Sequence, residues 1–335
     1  MNKKYLKWLV VLVVLIALLL ASVMISLAAG EMKISLLNAL KLVFFPAGDQ
    51  SLEYMLVRQV RLPRIILGIA VGGALSLAGV ILQGIYRNPL VEPFTLGISG
   101  GASLGVALTI VFGLHGALGG FMLPLSGFLG ALLMIFLVYT LGSGRGRVNV
   151  NNMLLIGVMV SFVASSAMMF LMAVSSSENL HGIIFWTMGS LDEPDQRLVT
   201  LSLGATLAVL LVSYLFVQPL NALRLGEEKA WHLGIDTNLA VRVLFVLASL
   251  LAGVSVSVAG VIGFVGLIIP HLLRLVLGSD YRILLICSFL LGGTFLVFSD
   301  VVARTIISPN ELPVGVITGI AGGLVFIVMM RKQKK

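Results

Sequence analysis

The side chains best suited to chemistry lie near one end of an apolar stretch, residues 241–282. His271, Arg274 and Asp280 supply a base, a cation and a carboxylate close together. A zinc site needs His, Cys or carboxylate ligands at short spacings, and a nucleophilic triad needs Ser, His and Asp together. No spacing in the sequence fits a metal site, and no triad can be assembled. We therefore predict no catalytic residue, metal or cofactor on this chain, with His271 structural beside Pro270.

The same stretch is interrupted by residues that break helices. Gly260, Gly263, Gly266 and Pro270 fall inside a segment that is apolar enough for a bilayer. Backbone breaks at membrane depth persist only where protein or a water-filled cavity satisfies the polar groups that they release. Broken helices of this kind are typical of transport proteins. We therefore expect the chain to leave helical geometry around these four residues.

Apolar residues dominate the chain, since 59% of its 335 residues are hydrophobic and 11% are charged. Soluble domains have about 25% charged residues, and a membrane span needs about 20 apolar residues. The sequence predicts an all-α polytopic membrane protein of about ten transmembrane helices in one domain, 1–335. The first apolar run exceeds the apolar core of a cleaved signal peptide, so we interpret it as a retained span. The predicted spans are about 6–29, 62–85, 94–113, 118–141, 152–174, 198–217, 239–259, 261–276, 283–306 and 312–330, of which the eighth is short.

The predicted topology explains the net charge of +8. With the N-terminus inside, most of the 22 Lys and Arg residues fall on the inner side of the membrane. The positive-inside rule accounts for that bias without a nucleic acid partner. We expect a multi-pass protein of a bacterial plasma (inner) membrane with both termini in the cytoplasm.

Residues 61–104 align without gaps with residues 242–285, which indicates an internal repeat. The second span runs inward and the seventh outward, so the two halves, about 61–174 and 242–330, would form an inverted repeat. Inverted repeats are a transporter architecture. The alternative is two unrelated glycine-rich spans. The matches include Arg61 with Arg242, Gly72 with Gly253, Ser76 with Ser257, 78–81 with 259–262, and Pro89 with Pro270.

Polar segments near 30–60, 175–197 and 218–238 connect the spans. The last is amphipathic, with Leu220 and Leu223 on an apolar side and Glu227 and Glu228 on a charged side. We predict two short cytoplasmic helices around Gly226, a residue type that permits a tight turn. A short amphipathic helix outside the bilayer needs a groove in a partner. The alternative is a helix that lies in the lipid interface.

Arginines at the outer ends of spans run against the charge bias. Arg61 and Arg64 lie at the outer end of the second span, and Arg304 lies at the outer end of the ninth. Arginine pairs bidentately with carboxylates, so an acidic docking protein is one explanation. The alternative for Arg304 is a pair with Asp300, which lies one helical turn before it.

The fifth span carries serines and methionines spaced by four residues. Ser161 and Ser165 share a face, as do Met168 and Met172. Methionine surfaces adapt to bulky ligands, which favours a translocation pathway, whereas serine hydroxyls equally hold helices together. Just before this span, polar side chains at the inner mouth could form a gate: Asn149, Asn151 and Asn152.

These residues together resemble the FecCD-type permeases, the membrane subunits of ABC importers for ferric siderophores, haem and cobalamin. The resemblance runs from Leu62 to Met330. In that family the last span usually contains a proline, where this sequence has Gly322-Gly323-Leu324. The motifs that match in order are Arg61-Leu-Pro-Arg64, Arg87-Asn-Pro-Leu90, Leu96-Gly-Ile-Ser99, Trp186-Thr-Met-Gly-Ser190, Leu225-Gly-Glu-Glu228, Gly263-Phe-Val-Gly-Leu267, Gly278-Ser-Asp280, Asp300 with Arg304, and Glu311-Leu-Pro-Val-Gly315.

The resemblance implies a dimer with a second copy or a paralogue, two cytoplasmic ATPase subunits and an extracytoplasmic substrate-binding protein. The chain has no phosphate-binding loop, so ATP and magnesium would bind to the ATPase. The family implies alternating access driven by ATP. A secondary transporter is the alternative, and it needs an intramembrane carboxylate, for which only Asp300 qualifies.

The resemblance also implies roles for individual residues. Arg61, Arg64 and Arg304 would receive carboxylates of the binding protein. Asn151 and Asn152 would narrow the inner pathway. The ATPase would contact Leu225, Gly226, Glu227, Glu228 and Gly234.

Overall fold

The computed structural model describes residues 3–30, 32–45, 51–114, 119–144, 147–193 and 195–333. This part of the chain is almost entirely helical. Its α-helices are α1 (Lys3–Ala28), α2 (Leu36–Phe44), α3 (Leu52–Met55), α4 (Leu62–Tyr86), α5 (Ile98–Val111), α6 (Met122–Gly142), α7 (Val150–Val174), α8 (Ser177–Met188), α9 (Gln196–Leu215), α10 (Val217–Leu223), α11 (Glu227–His232), α12 (Thr237–Ala259), α13 (Val265–Leu277), α14 (Tyr281–Thr305) and α15 (Val314–Gln333).

Shorter elements complete the described chain. A π-helix, Leu56–Arg61, joins α3 to α4 without a break, and 3-10 turns at Pro93–Leu96 and Gly119–Phe121 precede α5 and α6. Two-residue strands, Ser143–Gly144 and Arg147–Val148, form one antiparallel hairpin.

The helices confirm the predicted fold class. Seven of those described are long and apolar enough to cross a membrane, and three shorter apolar helices accompany them, Ile98–Val111, Val265–Leu277 and Val314–Met329. Each of the ten coincides with a predicted span. The connecting segments differ from expectation, because α2, α3 and α8 form helices within stretches that we predicted as polar loops.

Side-chain caps explain where several helices begin. The side chain of Asn149 accepts a hydrogen bond from the N–H of Asn152 at the start of α7. Such caps satisfy N–H groups that have no partner within the helix. The same arrangement recurs at Ser35, Ser51, Ser176, Asp195, Asp236 and Asp280.

Helix α4 is the centre of the molecule. In the most apolar part of its span 89% of the residues are buried, against 11% in α7. It packs against α9, α12, α13 and α14. A helix enclosed in this way needs small residues, because lipid provides no hydrophobic drive between helices and close backbone approach must supply the contact.

Glycines allow that approach. A Cβ on Gly79 would lie 1.9 Å from the carbonyl oxygen of Gly266 in α13. A Cβ on Gly72 would lie 2.3 Å from the carbonyl oxygen of Gly292 in α14. Backbone therefore lies directly on backbone at both crossings.

The apolar stretch after α12 is broken, but over a shorter range than predicted. Gly260 ends α12 with φ +66°, and Phe264, also at positive φ, precedes α13. The Glu92 carboxylate accepts a hydrogen bond from the Phe264 N–H at 3.3 Å. The expected break at Gly266 and Pro270 is wrong, because both residues lie inside α13.

The reason α13 continues through Pro270 is a side chain from α4. Proline has no N–H, so the carbonyl four residues earlier, that of Gly266, loses its helical donor. The side-chain amide of Gln83 donates to that carbonyl at 3.1 Å. The polar group released within an apolar environment is thereby satisfied.

The last helix, α15, is unbroken through Gly322 and Gly323. A Cβ on Gly322 would lie 2.5 Å from the Phe264 Cβ. Gly322 therefore gives room to the residue at which α13 begins.

Candidate functional sites at the two ends of the molecule

One end of the helical bundle contains a cavity of about 630 Å³. It brings together all three arginines for which the sequence predicted docking, although they come from distant parts of the chain. Its lining residues are Gly30, Met32, Leu52, Leu56, Val60, Arg61, Arg64, Arg304, Pro309 and Glu311.

Arg64 forms an ion pair with Glu311 in this cavity, which we call the outer cavity after the predicted topology. Its two terminal nitrogens donate to the Glu311 carboxylate oxygens at 2.9 and 2.6 Å. The Arg64 side chain is 7% exposed, whereas that of Glu311 is 47% exposed. These hydrogen bonds lower the pKa of the Glu311 carboxyl. Asp192 adds a longer contact, 3.7 Å from its oxygen to the Arg64 Nε.

Arg304 is held inside the protein. Its Nε donates to the Asp300 carboxylate at 2.8 Å, and a terminal nitrogen donates to the Ser26 hydroxyl at 2.9 Å. Both members of the ion pair are buried. The pair one helical turn apart, which the sequence offered as an alternative, is therefore present, and it also ties α14 to α1.

Arg61 has no carboxylate among the described residues that bond to it. Its guanidinium donates to the main-chain carbonyls of Leu27 and Met32. All three predicted docking arginines thus line one cavity, and all three are buried and hydrogen-bonded within the chain. The sequence did not predict the ion pair between Arg64 and Glu311, although Glu311 begins the motif Glu311-Leu-Pro-Val-Gly315.

The opposite end of the molecule holds a second cavity of about 560 Å³. It places the predicted ATPase contacts beside a predicted gate residue. Gly226, with φ +108°, separates α10 from α11 and turns the chain there. This second cavity, which we call the inner cavity after the predicted topology, is lined by Arg87, Asn149, Val150, Asn151, Leu225, Gly226, Glu227, Glu228 and Lys229.

The segment around α11 has exposed apolar side chains. Leu225 is 58% exposed, Trp231 66% and Leu233 64%. Exposed aromatic and aliphatic groups beside acidic residues are typical of a protein interface. Trp231 was not among the residues that the amphipathic pattern of this segment assigned to its apolar side. Gly234, with φ +80°, follows α11 and lies outside the inner cavity.

The four residues predicted for the pathway on α7 are not part of either cavity. Ser161, Ser165, Met168 and Met172 are all half-buried. The Ser161 hydroxyl donates to the Gly157 carbonyl at 2.8 Å. In contrast, Asn151 and Asn152 at the start of α7 are exposed.

Within the described part of the chain, no three His, Cys, Asp or Glu side chains come together in a way that could hold a metal ion. His271 is buried.

The described residues form ten apolar helices, one of which is the buried central span, with a charged cavity at each end, as in a polytopic membrane transport subunit. The sequence profile of the FecCD transport family matches residues 18–332. The chain belongs to the FecCD transport family.

Individual relatives agree with this assignment. The hemin transport system permease protein HmuU of Yersinia pestis is 37% identical over 278 residues, which cover 82% of this chain and 83% of HmuU. The vitamin B12 import system permease protein BtuC of Klebsiella pneumoniae is 38% identical over 319 residues, which cover 95% and 92% of the two chains. A solved ABC transporter in an inward-facing conformation has a TM-score of 0.84 at 31% identity and covers 97% of this chain and 99% of its own.

Proposed function

We propose that the chain is the membrane-spanning subunit of an ATP-driven importer that moves an iron-siderophore complex, haem or cobalamin into the cytoplasm by alternating access. Relatives named for hemin and vitamin B12 transport support this substrate class. The subunit works as a dimer with a second copy or a paralogue. Two cytoplasmic ATPase subunits hold ATP and magnesium, and an extracytoplasmic binding protein delivers the substrate. Both chain termini are cytoplasmic.

The observation that carries the proposal is the inner cavity. Leu225–Glu228, at the start of α11, share it with Asn149–Asn151, at the start of α7. A displacement of α11 by the ATPase would therefore change the space between α11 and the start of α7. The ATPase can shift the permease between two conformations only if it contacts α11 differently in each of them.

The ATPase docks on the exposed side of α11 in this proposal. Leu225, Trp231 and Leu233 supply apolar contact, and Glu227 and Glu228 supply charge. Gly226 and Gly234 give the segment its turns. Asn151 and Asn152 restrict the inner end of the pathway, and the half-buried Ser161, Ser165, Met168 and Met172 follow it along α7.

The binding protein docks at the outer cavity. Arg61, Arg64 and Arg304 are internally paired, so an incoming carboxylate must compete for them. Glu311 is the closest competitor for Arg64, and nearly half of its side chain is exposed, which leaves it open to displacement. Asp300 is buried against Arg304 and stays in place.

Reconstituted uptake tests the proposal. Proteoliposomes that contain this chain and its ATPase are expected to accumulate substrate only when the binding protein and ATP are both present. Uptake that a proton gradient alone sustains would contradict the proposal and favour a secondary transporter. Asp300, the carboxylate such a transporter would use, is held by Arg304 at 2.8 Å.

Charge reversal tests the ATPase contact separately. Glu227→Lys with Glu228→Lys is expected to reduce co-purification of the ATPase and ATP-driven uptake at least tenfold. The matched control is Glu178→Lys, an exposed acid at the start of α8. Normal assembly of the double variant would exclude this contact.

Cysteine labelling tests the topology, since Cys287 is the single cysteine and is buried. In a Cys287→Ser background, Glu228→Cys is expected to resist a membrane-impermeant maleimide added to intact cells, whereas Glu178→Cys reacts. The opposite pattern would invert the topology and remove the ATPase contact.

A further inference from the structure

A third cavity, of about 230 Å³, lies near the end of the bundle that carries the inner cavity. Its distinguishing feature is three arginines from separate elements, with no acidic side chain among the described residues that line it. The lining residues are Gln83, Gly84, Arg87, Pro89, Arg224, Arg274, Ser279 and Tyr281.

Two of these arginines are held in position by hydrogen bonds. The Arg224 guanidinium donates to the Ser279 carbonyl at 2.7 Å. The Arg274 guanidinium donates to the side-chain oxygen of Gln83. Arg87 is exposed and directly follows the last residue of α4, with φ 51°. These partners are neutral, so the three positive charges are not compensated there.

The acidic residue between the lining residues Ser279 and Tyr281 is engaged elsewhere. Asp280 pairs with Lys4 at 3.1 Å and with Arg282 at 3.4 Å. Its side chain also caps α14 through the Arg282 N–H. The cavity therefore keeps an excess of positive charge that an external anion can balance.

The position of the cavity favours lipid over protein as the source of that anion. Arg87 ends the central span, Arg274 lies in the last turn of α13, and Tyr281 begins α14. The ends of spans lie at the depth of the phospholipid headgroups. Basic pockets between spans on the cytoplasmic side bind anionic headgroups. The exposed part of α11, where the ATPase docks in our proposal, borders the inner cavity, which shares Arg87 with this one but not Arg224 or Arg274.

We propose that this arginine cavity binds the headgroup phosphate of an anionic phospholipid, such as phosphatidylglycerol or cardiolipin. The volume suits a headgroup, since it is below the roughly 300 Å³ from which small-molecule sites start. Arg87 and Arg224, at the exposed edge, contact the phosphate, and Arg274 supplies charge from behind. The leaflet, the inner one, follows from the proposed topology, but lipid binding itself does not depend on the transport function.

Native mass spectrometry of the detergent-solubilised chain tests this inference directly. The purified protein is titrated with phosphatidylglycerol or with phosphatidylcholine of the same acyl chains. We expect preferential retention of phosphatidylglycerol. Each arginine near a headgroup strengthens binding about fivefold, so the double variant Arg87→Gln/Arg224→Gln is expected to weaken it about 30-fold.

A matched variant removes the same charge outside the cavity. Lys3 and Lys7 are exposed and do not line it, so Lys3→Gln/Lys7→Gln is expected to retain wild-type lipid preference. Arg87→Lys/Arg224→Lys, which keeps both charges, should recover most of the binding. Size-exclusion chromatography of each variant confirms that a loss of lipid is not a loss of folding.

Three results would overturn the proposal. Equal retention of the two lipids by the wild-type chain would remove the preference. Equal losses in the cavity variant and the matched variant would show a general surface effect. Displacement of the lipid by inorganic phosphate, at an ionic strength matched with chloride, would show a small-anion site. If lipid preference is absent while the cavity variant loses the ATPase, the arginines contact protein instead.

Discussion

The side chain of Gln83 and the ring of Pro270 act on the same main-chain carbonyl, that of Gly266. Pro270 removes the N–H that would bond to this oxygen within α13, and the Gln83 amide replaces it at 3.1 Å. The two residues belong to different spans, so the continuity of α13 depends on its contact with α4.

Gln83→Leu is therefore expected to destabilise the protein by about 1–3 kcal/mol, because it leaves a buried carbonyl without a donor. Chemical denaturation in detergent, followed by tryptophan fluorescence, measures the change. Gln83→Leu in a Pro270→Ala background provides the control, since alanine restores the helical N–H. The loss should then be smaller, and purely additive effects would contradict the shared role.

The glycine crossings of α4 predict a large effect of a single methyl group. Gly79→Ala would force a Cβ against the Gly266 carbonyl, and overpacking of this kind destabilises by about 1–3 kcal/mol or more. Gly204→Ala, in α9, is the matched control because a Cβ there has nothing within 4 Å. Thermal unfolding should separate the two variants. Equal unfolding temperatures would show that the α4–α13 crossing is looser than described.

The buried pair of Asp300 and Arg304 predicts that removal of one charge costs more stability than replacement of both residues. Asp300→Asn leaves a buried guanidinium without its counter-charge and is expected to destabilise by about 3–5 kcal/mol. Replacement of both residues, Asp300→Leu with Arg304→Met, is expected to be close to neutral. The double variant then tests docking apart from stability: if it folds and still binds the delivery protein with unchanged affinity, Arg304 is structural only.

The pair of Arg64 and Glu311 predicts a dependence on pH. The pKa of Glu311 lies below its usual 4.5, first because of the hydrogen bonds from Arg64. A carboxyl with a lowered pKa in the folded state contributes stability that is complete above the unfolded pKa and is lost as the pH falls through the folded one. The unfolding temperature should therefore decrease as the pH is lowered from about 4.5. Glu311→Gln should flatten this decline, whereas Glu178→Gln should not.

The sequence predicted the parts of the fold that depend on local pattern. Ten apolar runs gave ten helices because the length of a span and its apolarity are read from neighbouring residues. The turn at Gly226 was predicted for the same reason, since few other residues adopt its φ without strain. Helices α2 and α8 were missed because their sequences mix polar and apolar residues in short segments.

Contacts between distant residues could not be predicted in this way. The break expected at Pro270 was wrong because Gln83 supplies the missing hydrogen bond to the Gly266 carbonyl. Gln83 lies 187 residues before Pro270, so the local pattern around Pro270 could not show this donor. The ion pair between Arg64 and Glu311 could not be predicted for the same reason, because the two residues are 247 positions apart in the chain. The inverted repeat, the gate at Asn151 and Asn152, and the pathway face of α7 remain predictions.

The enclosure of α4 also constrains how the protein is made. Translation delivers α4 to the membrane long before α9, α12, α13 and α14, the helices that later cover it. Glu311, the partner of Arg64, emerges 247 residues after it. Until then the nascent chain holds a glycine-rich span and an arginine that still lacks its carboxylate. A truncated product that stops before α9 therefore keeps both features, and one that stops between α14 and residue 311 keeps only the second.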